Sequence, residues 1–301
     1  MFKKILLIVA AMLLLLCGCS AAEPEEEMPV DYDLNRDCVV YYEAEDCLVP
    51  VAVEEAWNED TLNNLYSRMC ASETELEGTG LSSILTSDTQ IDTTVKDNIA
   101  TVEIYAPSID SLTATQARNI ATAAVNTATQ FDGIEAVQLV FNGSTEKIGG
   151  IDISEAMGEM CINPAYDIGN LTPFEVYYEL GDTDYIVPIT KAAKKVTADV
   201  AVNAMMKVPE NKGVKSLFPT GTQLLSAELS DGILTLNFSK ELSELEESPE
   251  KQQKLLNQLV FMLDQLEGVD EVQILVEGVP FNFKVDEKSA SVFGNYVEVL
   301  Q

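Results

Sequence analysis

Residues 97–102 read DNIATV and residues 231–236 read DGILTL, and these two matching stretches decide the fold. Asp-Asn and Asp-Gly are strong signals for a two-residue hairpin turn, and the alternating apolar residues that follow predict a strand. Four more matches surround this pair in the same order, at offsets of 133 to 138 positions. They join 40–43 to 176–179, 49–51 to 187–189, 80–91 to 213–224, and 131–143 to 266–278. The chain therefore contains two copies of one unit.

Each copy predicts the same elements in the same order. These are two opening strands, a helix, a hairpin, a longer helix and a closing strand, with a short final strand after them. The expected ranges are 38–43, 47–53, 57–70, 89–96, 99–106, 114–131, 136–141 and 144–151 in the first copy, and 174–180, 184–190, 197–208, 222–230, 233–239, 249–266, 271–276 and 279–285 in the second. The order ββαββαβ, present twice, predicts an α+β fold in which helices pack on one face of a sheet.

The longer helix of each copy has clear start and stop signals. Thr113 and Gln116 have the spacing of a capping box, while in the second copy Ser248 is predicted to cap the helix and Pro249 to take its first position. A glycine, Gly133 or Gly268, follows each apolar stripe, where a left-handed stop is expected.

The first 22 residues have the pattern of an export signal. Lys3 and Lys4 precede an apolar run, 5–16, that is too short to span a bilayer as a mature helix. Leu16-Cys17-Gly18-Cys19 resembles the bacterial lipobox, which predicts that Cys19 carries acyl chains such as palmitate at the outer face of the cell membrane. The alternative is an ordinary secretory signal that is cut after Ala22.

The predicted organisation has five parts. These are a signal peptide (1–18), an acidic tether (19–37), module 1 (38–151), a linker (152–172) and module 2 (173–301).

Composition excludes several kinds of protein. With 18 Lys and Arg against 50 Asp and Glu, the net charge of −32 repels nucleic acid phosphates. The sequence has no histidine, so Ser-His-Asp and Cys-His catalysis and Cys/His zinc sites are excluded, and we expect no enzyme activity, cofactor or metal. Four cysteines remain in the exported part, and they either form two disulfides or stay as thiols: Cys38, Cys47, Cys70 and Cys161.

Two groups of side chains are candidates for binding. Lys191, Lys194 and Lys195 would share a helix face if the helix started early, and Lys207 follows them. Module 1 has few cations, so this basic flank would be complementary to it, within one chain or between neighbours. The alternative is a solvated helix face.

Tyrosines recur in pairs at equal positions of the two copies, at 41–42 and 177–178. Since neighbouring residues of a strand face opposite ways, one of each pair is expected to be exposed. Tyr42 and Tyr178 are the candidates for stacking on a glycan, with core packing as the alternative.

The repeated pattern resembles the module of GerM-type sporulation and germination lipoproteins. The motifs that carry the resemblance are 219–222 (PTGT), 231–236 (DGILTL) and 266–269 (LEGV), while module 1 departs from them with TSDT at 86–89 and Asn98 in place of the hairpin glycine. The resemblance implies tandem GerMN modules, similar to the ring-building motif of secretion systems, and no catalytic residues.

The expected function is that of a lipid-anchored assembly factor in spore formation or germination. It would act by packing of its modules against sporulation membrane proteins or against other copies of itself. The alternative is a lipoprotein that binds cell-wall glycan or another ligand.

Overall fold

Both copies contain the hairpin predicted from DNIATV and DGILTL. The computed structural model of the chain describes residues 35–56, 58, 60–109, 111–210, 213–282 and 294–300. In module 1 the turn residues Asp97 and Asn98 have φ angles of 51° and 63°, and in module 2 Asp231 and Gly232 have 51° and 83°. Positive φ at both central positions defines the tight turn whose twist suits a hairpin.

Module 1 follows the predicted order, with longer opening strands and a shorter first helix. Its elements are β1 (Asn35–Ala44), β2 (Cys47–Ala56), α1 (Thr61–Arg68), β3 (Gln90–Lys96), β4 (Ile99–Tyr105), α2 (Ala114–Thr129), β5 (Ala136–Phe141), β6 (Lys147–Ile148) and β7 (Ile151–Asp152).

Module 2 repeats this order and adds a small strand before its hairpin and another near the end of the chain. Its elements are β8 (Thr172–Leu180), β9 (Ile186–Ala193), α3 (Ala198–Met206), β10 (Val214–Lys215), β11 (Leu224–Ser230), β12 (Ile233–Phe238), a 3-10 helix (Lys240–Glu247), α4 (Pro249–Asp264), β13 (Glu271–Val276), β14 (Val279–Pro280), β15 (Asn295–Tyr296) and a 3-10 turn (Glu298–Leu300).

The α+β class and the tandem repeat are confirmed, and the structure adds that the strands of each module divide between two sheets. In module 1 the opening hairpin belongs to the sheet β1-β2-β15, and the second hairpin belongs to β3-β4-β5. In module 2 the corresponding sheets are β10-β8-β9 and β11-β12-β13-β14. The closing strand of each copy runs parallel to its neighbour, and the longer helix makes the crossover between them.

The first helix of module 1 is shorter than the predicted range 57–70. β2 remains paired with β1 as far as Ala56, and the Thr61 hydroxyl then donates to the carbonyls of Ala56 and Asn58 at 2.9 and 2.7 Å. Because the strand occupies the chain up to Ala56, the helix begins only at Thr61.

The start signals of the longer helices had different outcomes. Thr113 accepts from the backbone of Gln116 at 3.2 Å, and the Gln116 side chain accepts from the Thr113 backbone at 3.1 Å, so the capping box is confirmed. The prediction for Ser248 was wrong, because its side chain makes no capping hydrogen bond. Gly133 and Gly268 have φ angles of 93° and 80°, and they lie a few residues beyond the last regular turn.

One apolar core runs through both modules. A cluster of buried side chains joins one face of the β1–β2 hairpin, including Val40 and Val49, to the interior of module 2, including Val176 and Leu259. A second cluster lies between α2 and the β3-β4-β5 sheet. The two modules therefore belong to one compact unit.

Candidate functional site: the seam between the modules

The two opening hairpins meet along a seam, where two asparagines, one in the linker and one near the end of module 2, join β2 to β9. Asn163 lies in the linker and is 5% exposed. Its amide oxygen accepts from the Leu48 backbone at 2.8 Å, and its amide nitrogen donates to the Leu48 carbonyl at 2.8 Å and to the Pro188 carbonyl at 3.0 Å. A single side chain thus bonds the backbones of both hairpins.

Asn295 makes the same contacts from the other side. Its amide oxygen accepts from the Ile186 backbone at 2.8 Å, and its amide nitrogen donates to the carbonyls of Ile186 and Pro50 at 2.8 Å each. Leu48 and Ile186 are equivalent positions of the repeat, as are Pro50 and Pro188. The seam therefore repeats one arrangement twice, with the roles of the modules exchanged.

The segments that carry these asparagines also pair with the hairpin of the other module. The Thr190 backbone of β9 donates to Ile162 at 2.9 Å and accepts from Ala165 at 3.0 Å, so the linker extends the sheet of module 2. β15, at the end of module 2, pairs in parallel with β2 of module 1. β15 and the linker segment thus cover both inner hairpin edges, which would otherwise be open to foreign strands.

A glycine permits the close approach of β15. A Cβ atom at Gly294 would lie 2.5 Å from the backbone nitrogen of Ala52 and 2.9 Å from its Cα. Backbone atoms of a paired strand cannot move aside, so this position requires a residue without a side chain.

An acidic group lies half-buried beside the seam. Burial, and then the nearby Glu159 carboxylate, raise the pKa of Glu175 to about 7, and the Tyr177 hydroxyl donates to Glu175 at 3.3 Å. Gln265, at the end of α4, bonds the Glu175 backbone at 2.8 and 3.2 Å. Gln130 holds Val39 of module 1 in the same way, at 2.8 and 2.9 Å, so both longer helices fix an opening strand by a glutamine.

The expectation that one tyrosine of each pair is exposed was wrong. Tyr42 and Tyr178 are 1% and 0% exposed, and Tyr41 and Tyr177 are buried as well. Each opening hairpin has a helix on both faces, so neither tyrosine of a pair reaches solvent: the Tyr178 hydroxyl donates to Ala204 of α3 at 2.5 Å, while Tyr177 packs on Phe261 of α4. Neither Tyr42 nor Tyr178 is available to stack on a glycan.

The expected helical face of lysines is not present either. β9 continues to Ala193 and α3 begins at Ala198, so Lys191 lies in a strand, with Lys194 and Lys195 exposed after its end. Lys191 is buried and donates to the Tyr178 hydroxyl at 2.6 Å and to the carbonyls of Ala204 and Lys207 at 2.7 Å each. Burial, and then the nearby Lys207 charge, lower the pKa of Lys191 to about 8.

Within the described ranges, the exposed lysines of module 2 do not join the modules by ion pairs. Lys194, Lys195 and Lys207 form no ion pair with any residue that the structure describes. A cation with three carboxylate partners was missed in the sequence: Lys254 of α4 lies 3.8 Å from Glu179, 3.2 Å from Asp184 and 3.4 Å from Glu250, all within module 2.

The cysteines of the described ranges are thiols rather than disulfides. Burial raises the pKa of Cys38 and of Cys70 to about 11, so both stay protonated and unreactive near neutral pH. The described part of the chain also brings together no group of three or more metal-ligating side chains. None of its helices is both long and apolar enough to cross a membrane. Cys19, the predicted signal peptide and residues 20–34 of the predicted tether lie outside the described residues, whereas residues 35–37 belong to β1.

The fold and the seam define a protein made of two fused copies of one α+β module. The family model "Germane: Sporulation and spore germination" matches residues 39–147 and 175–281. The chain therefore belongs to the Germane family, as a GerM-type protein with two GerMN modules.

Individual proteins and solved structures are also similar to this chain. The chain is 27% identical over 221 residues to the spore germination protein GerM of Bacillus subtilis (strain 168), a match that covers 68% of this chain and 60% of that protein's length. The solved tandem GerMN domains of GerM from Bacillus subtilis match with a TM-score of 0.62 at 21% identity, over 82% of this chain and 92% of that one. The first GerMN domain of the same protein matches with a TM-score of 0.36 at 20% identity, over 41% and 97%.

Proposed function

We propose that this sporulation or germination protein is a non-catalytic, lipid-anchored assembly factor that works through the surfaces of its fused modules. The reciprocal seam carries the proposal, because it joins the two modules into one compact unit with outward surfaces for partners. The family assignment supports a role in sporulation or germination, and the absence of histidine from the sequence supports a role without catalysis.

The anchor is proposed to be acyl chains on Cys19, outside the cytoplasm. The lipobox-like sequence at residues 16–19 supports acylation of Cys19, and two or more acyl chains would hold the protein stably at the membrane. Replacing Cys19 with Ser should move the protein from the detergent phase to the aqueous phase in a phase-separation assay. Cys17→Ser is the matched control and should leave the protein in the detergent phase. If Cys19→Ser stays in the detergent phase together with Cys17→Ser, the proposed anchor is wrong.

The assembly role is tested by crosslinking in cells, with a tagged chain taken from growing and from sporulating cultures. Membrane proteins of the sporulation machinery, or other copies of this chain, should be recovered only during sporulation. Recovery of wall fragments or wall enzymes from growing cells instead would contradict the proposal.

The exposed Lys194, Lys195 and Lys207 are proposed contacts with an acidic partner surface. Reversal of these three charges should then reduce recovery, while Lys251→Glu on α4 serves as the control.

A further inference from the structure

We propose that β3 of module 1 is a self-pairing edge through which two copies of this chain join sheet to sheet. The inference deepens the proposed function, since it rests on the self-association that the function includes. β3 is the outermost strand of the sheet β3-β4-β5 and pairs with β4 along its full length. No described residue bonds the backbone of its other edge.

The hairpin geometry shows which backbone groups are free. The pair Lys96 and Ile99 flanks a two-residue turn, so Lys96 directs its backbone groups at β4. Since strand residues alternate, Thr94 and Asp92 do the same. The backbone groups of the intervening residues, Ile91, Thr93 and Val95, therefore point outward and are available to another strand.

The side chains on this edge are complementary to themselves. Asp92, Thr94 and Lys96 lie on one face of β3 and are exposed. In an antiparallel pair of two β3 strands centred on Thr94, Asp92 of each copy lies opposite Lys96 of the other. The pairing thus forms two ion pairs at once, and in the same register Thr93 and Val95 exchange backbone hydrogen bonds.

Within one chain these charges are poorly accommodated. Asp92 lies directly opposite Glu103 of β4, an arrangement of like charges that destabilises a sheet. Neither Asp92 nor Lys96 forms an ion pair with a residue that the structure describes. A second copy would bring a cation to this acidic pair and would also cover Val95, which is 54% exposed.

The corresponding edge of module 2 lacks this property. β11 is also outermost in its sheet, but Glu228 is its only charged residue, so two β11 strands would gain no ion pair. The proposed contact is therefore a closed two-fold dimer through module 1, not an open chain of modules. A single strand pair buries less surface than a stable dimer interface, so the contact should form mainly where the protein is concentrated, as on a membrane.

A disulfide at the centre of the pair tests the geometry. Thr94 would face Thr94 of the second copy as a non-hydrogen-bonded pair, with Cα atoms about 4.5 Å apart, a separation that suits a disulfide. We expect Thr94→Cys in the full chain to give a crosslinked dimer on mild oxidation. Thr101→Cys is the matched control, because Thr101 lies opposite Thr94 on the same face but one strand inward. Equal dimer yields from Thr94→Cys, Thr101→Cys and the unchanged chain would overturn the proposal.

A charge swap tests the register. In the Thr94→Cys background, Asp92→Lys places two cations opposite each other and should lower the dimer yield about tenfold. Addition of Lys96→Asp restores opposite charges and should restore the yield. A yield that Asp92→Lys leaves unchanged, or that the double variant does not recover, would contradict the proposed register. Recovery in the double variant also shows that the substitutions leave the fold intact. Loss of the dimer with sporulation partners still captured would refute only this inference. A dimer that forms in growing cells as well, with no sporulation protein captured from sporulating cells, would refute only the proposed assembly role in sporulation.

Discussion

At the scale of single residues, module 2 has two charged side chains, one half-buried and one buried, where module 1 has valines. Glu175 and Lys191 occupy repeat positions where module 1 has Val39 and Val53. Burial shifts the pKa of each towards its neutral form, to about 7 for Glu175 and about 8 for Lys191. These residues therefore make the stability of module 2 depend on pH, with opposite signs in two separate pH windows.

Replacing Glu175 with Gln should stabilise the protein above neutral pH. The folded state holds the Glu175 proton up to about pH 7, and the unfolded chain releases it near 4.5, so stability falls as pH rises between these values. Glu175→Gln removes this loss and should raise the unfolding free energy by about 2 kcal/mol at pH 8, with little effect at pH 4.5. Urea unfolding at the two pH values measures it, with the exposed Glu228→Gln as control. A gain in unfolding free energy that is equal at pH 4.5 and pH 8 would contradict the raised pKa of Glu175.

Lys191 should produce the opposite dependence at alkaline pH. Between about pH 8 and 10.5 the unfolded chain binds the lysine proton and the folded state does not, so stability rises with pH. Relative to Lys191→Met, the wild type should gain on the order of 2 kcal/mol over this range. Thermal unfolding of both proteins at pH 7.5 and 10 measures the difference. The exposed Lys194→Met should follow the wild type, and parallel curves for all three would show that Lys191 does not titrate in this window.

At the scale of elements, local signals define the helices, and contacts from distant parts of the chain complete the sheets. The two longer helices differ at their starts, since Thr113 caps and Ser248 does not. The two hairpin sheets are completed by segments from outside their own modules.

The difference between the helix starts predicts a difference in stability. Thr113→Ala removes an acceptor for the first-turn amides and should cost about 1 kcal/mol. Ser248→Ala removes no capping bond and should change the unfolding free energy by less than about 0.5 kcal/mol. Urea unfolding of the two variants compares them directly. Equal costs would mean that Thr113 gains nothing from its capping box.

The approach of β15 to β2 depends on Gly294. Gly294→Ala places a Cβ against the Ala52 backbone and should release β15, so the β2 amides that face it would exchange hydrogen faster. Gly150→Ala is the control, since nothing lies within 4 Å of its Cβ position and its φ is not positive. Hydrogen exchange measured by mass spectrometry over 47–56 separates the variants. Unchanged protection in Gly294→Ala would show that β15 is not held by this contact.

At the scale of the whole molecule, the modules are joined into one compact unit by two asparagine side chains and by two added segments, β15 and the linker. Each asparagine satisfies three backbone groups between the hairpins. Because the contacts of the two asparagines are related by the repeat, the loss of either asparagine should weaken the seam between the modules.

Removing the asparagines should loosen the seam. Asn163→Ala and Asn295→Ala each leave backbone groups of the hairpins unpaired and should each cost about 2 kcal/mol of unfolding free energy. The control is Asn203→Ala, whose amide bonds only the exposed Asp199 carbonyl. Chemical unfolding with a fluorescent label in each module is the measurement. The double variant should unfold in two steps, and a single shared transition at wild-type midpoint would contradict the role of the seam.

The amino-acid sequence by itself determined the repeat, the α+β class and most element positions. These depend on residues close along the chain, such as the turn at Asp97-Asn98 or the box at Thr113, whose chemistry acts over a few positions.

Only the tertiary structure decided the seam and the state of the candidate side chains. The bonds of Asn163 to Leu48 and of Asn295 to Pro50 join residues 115 and 245 positions apart, and a single asparagine carries no local signal of such a contact. The tyrosines and Lys191 are buried because helices cover both faces of each opening hairpin. The alternation of residues along a strand does not reveal that both faces are covered. Burial and long-range pairing are properties of how elements pack, so the residues that join the modules became visible only in the folded chain.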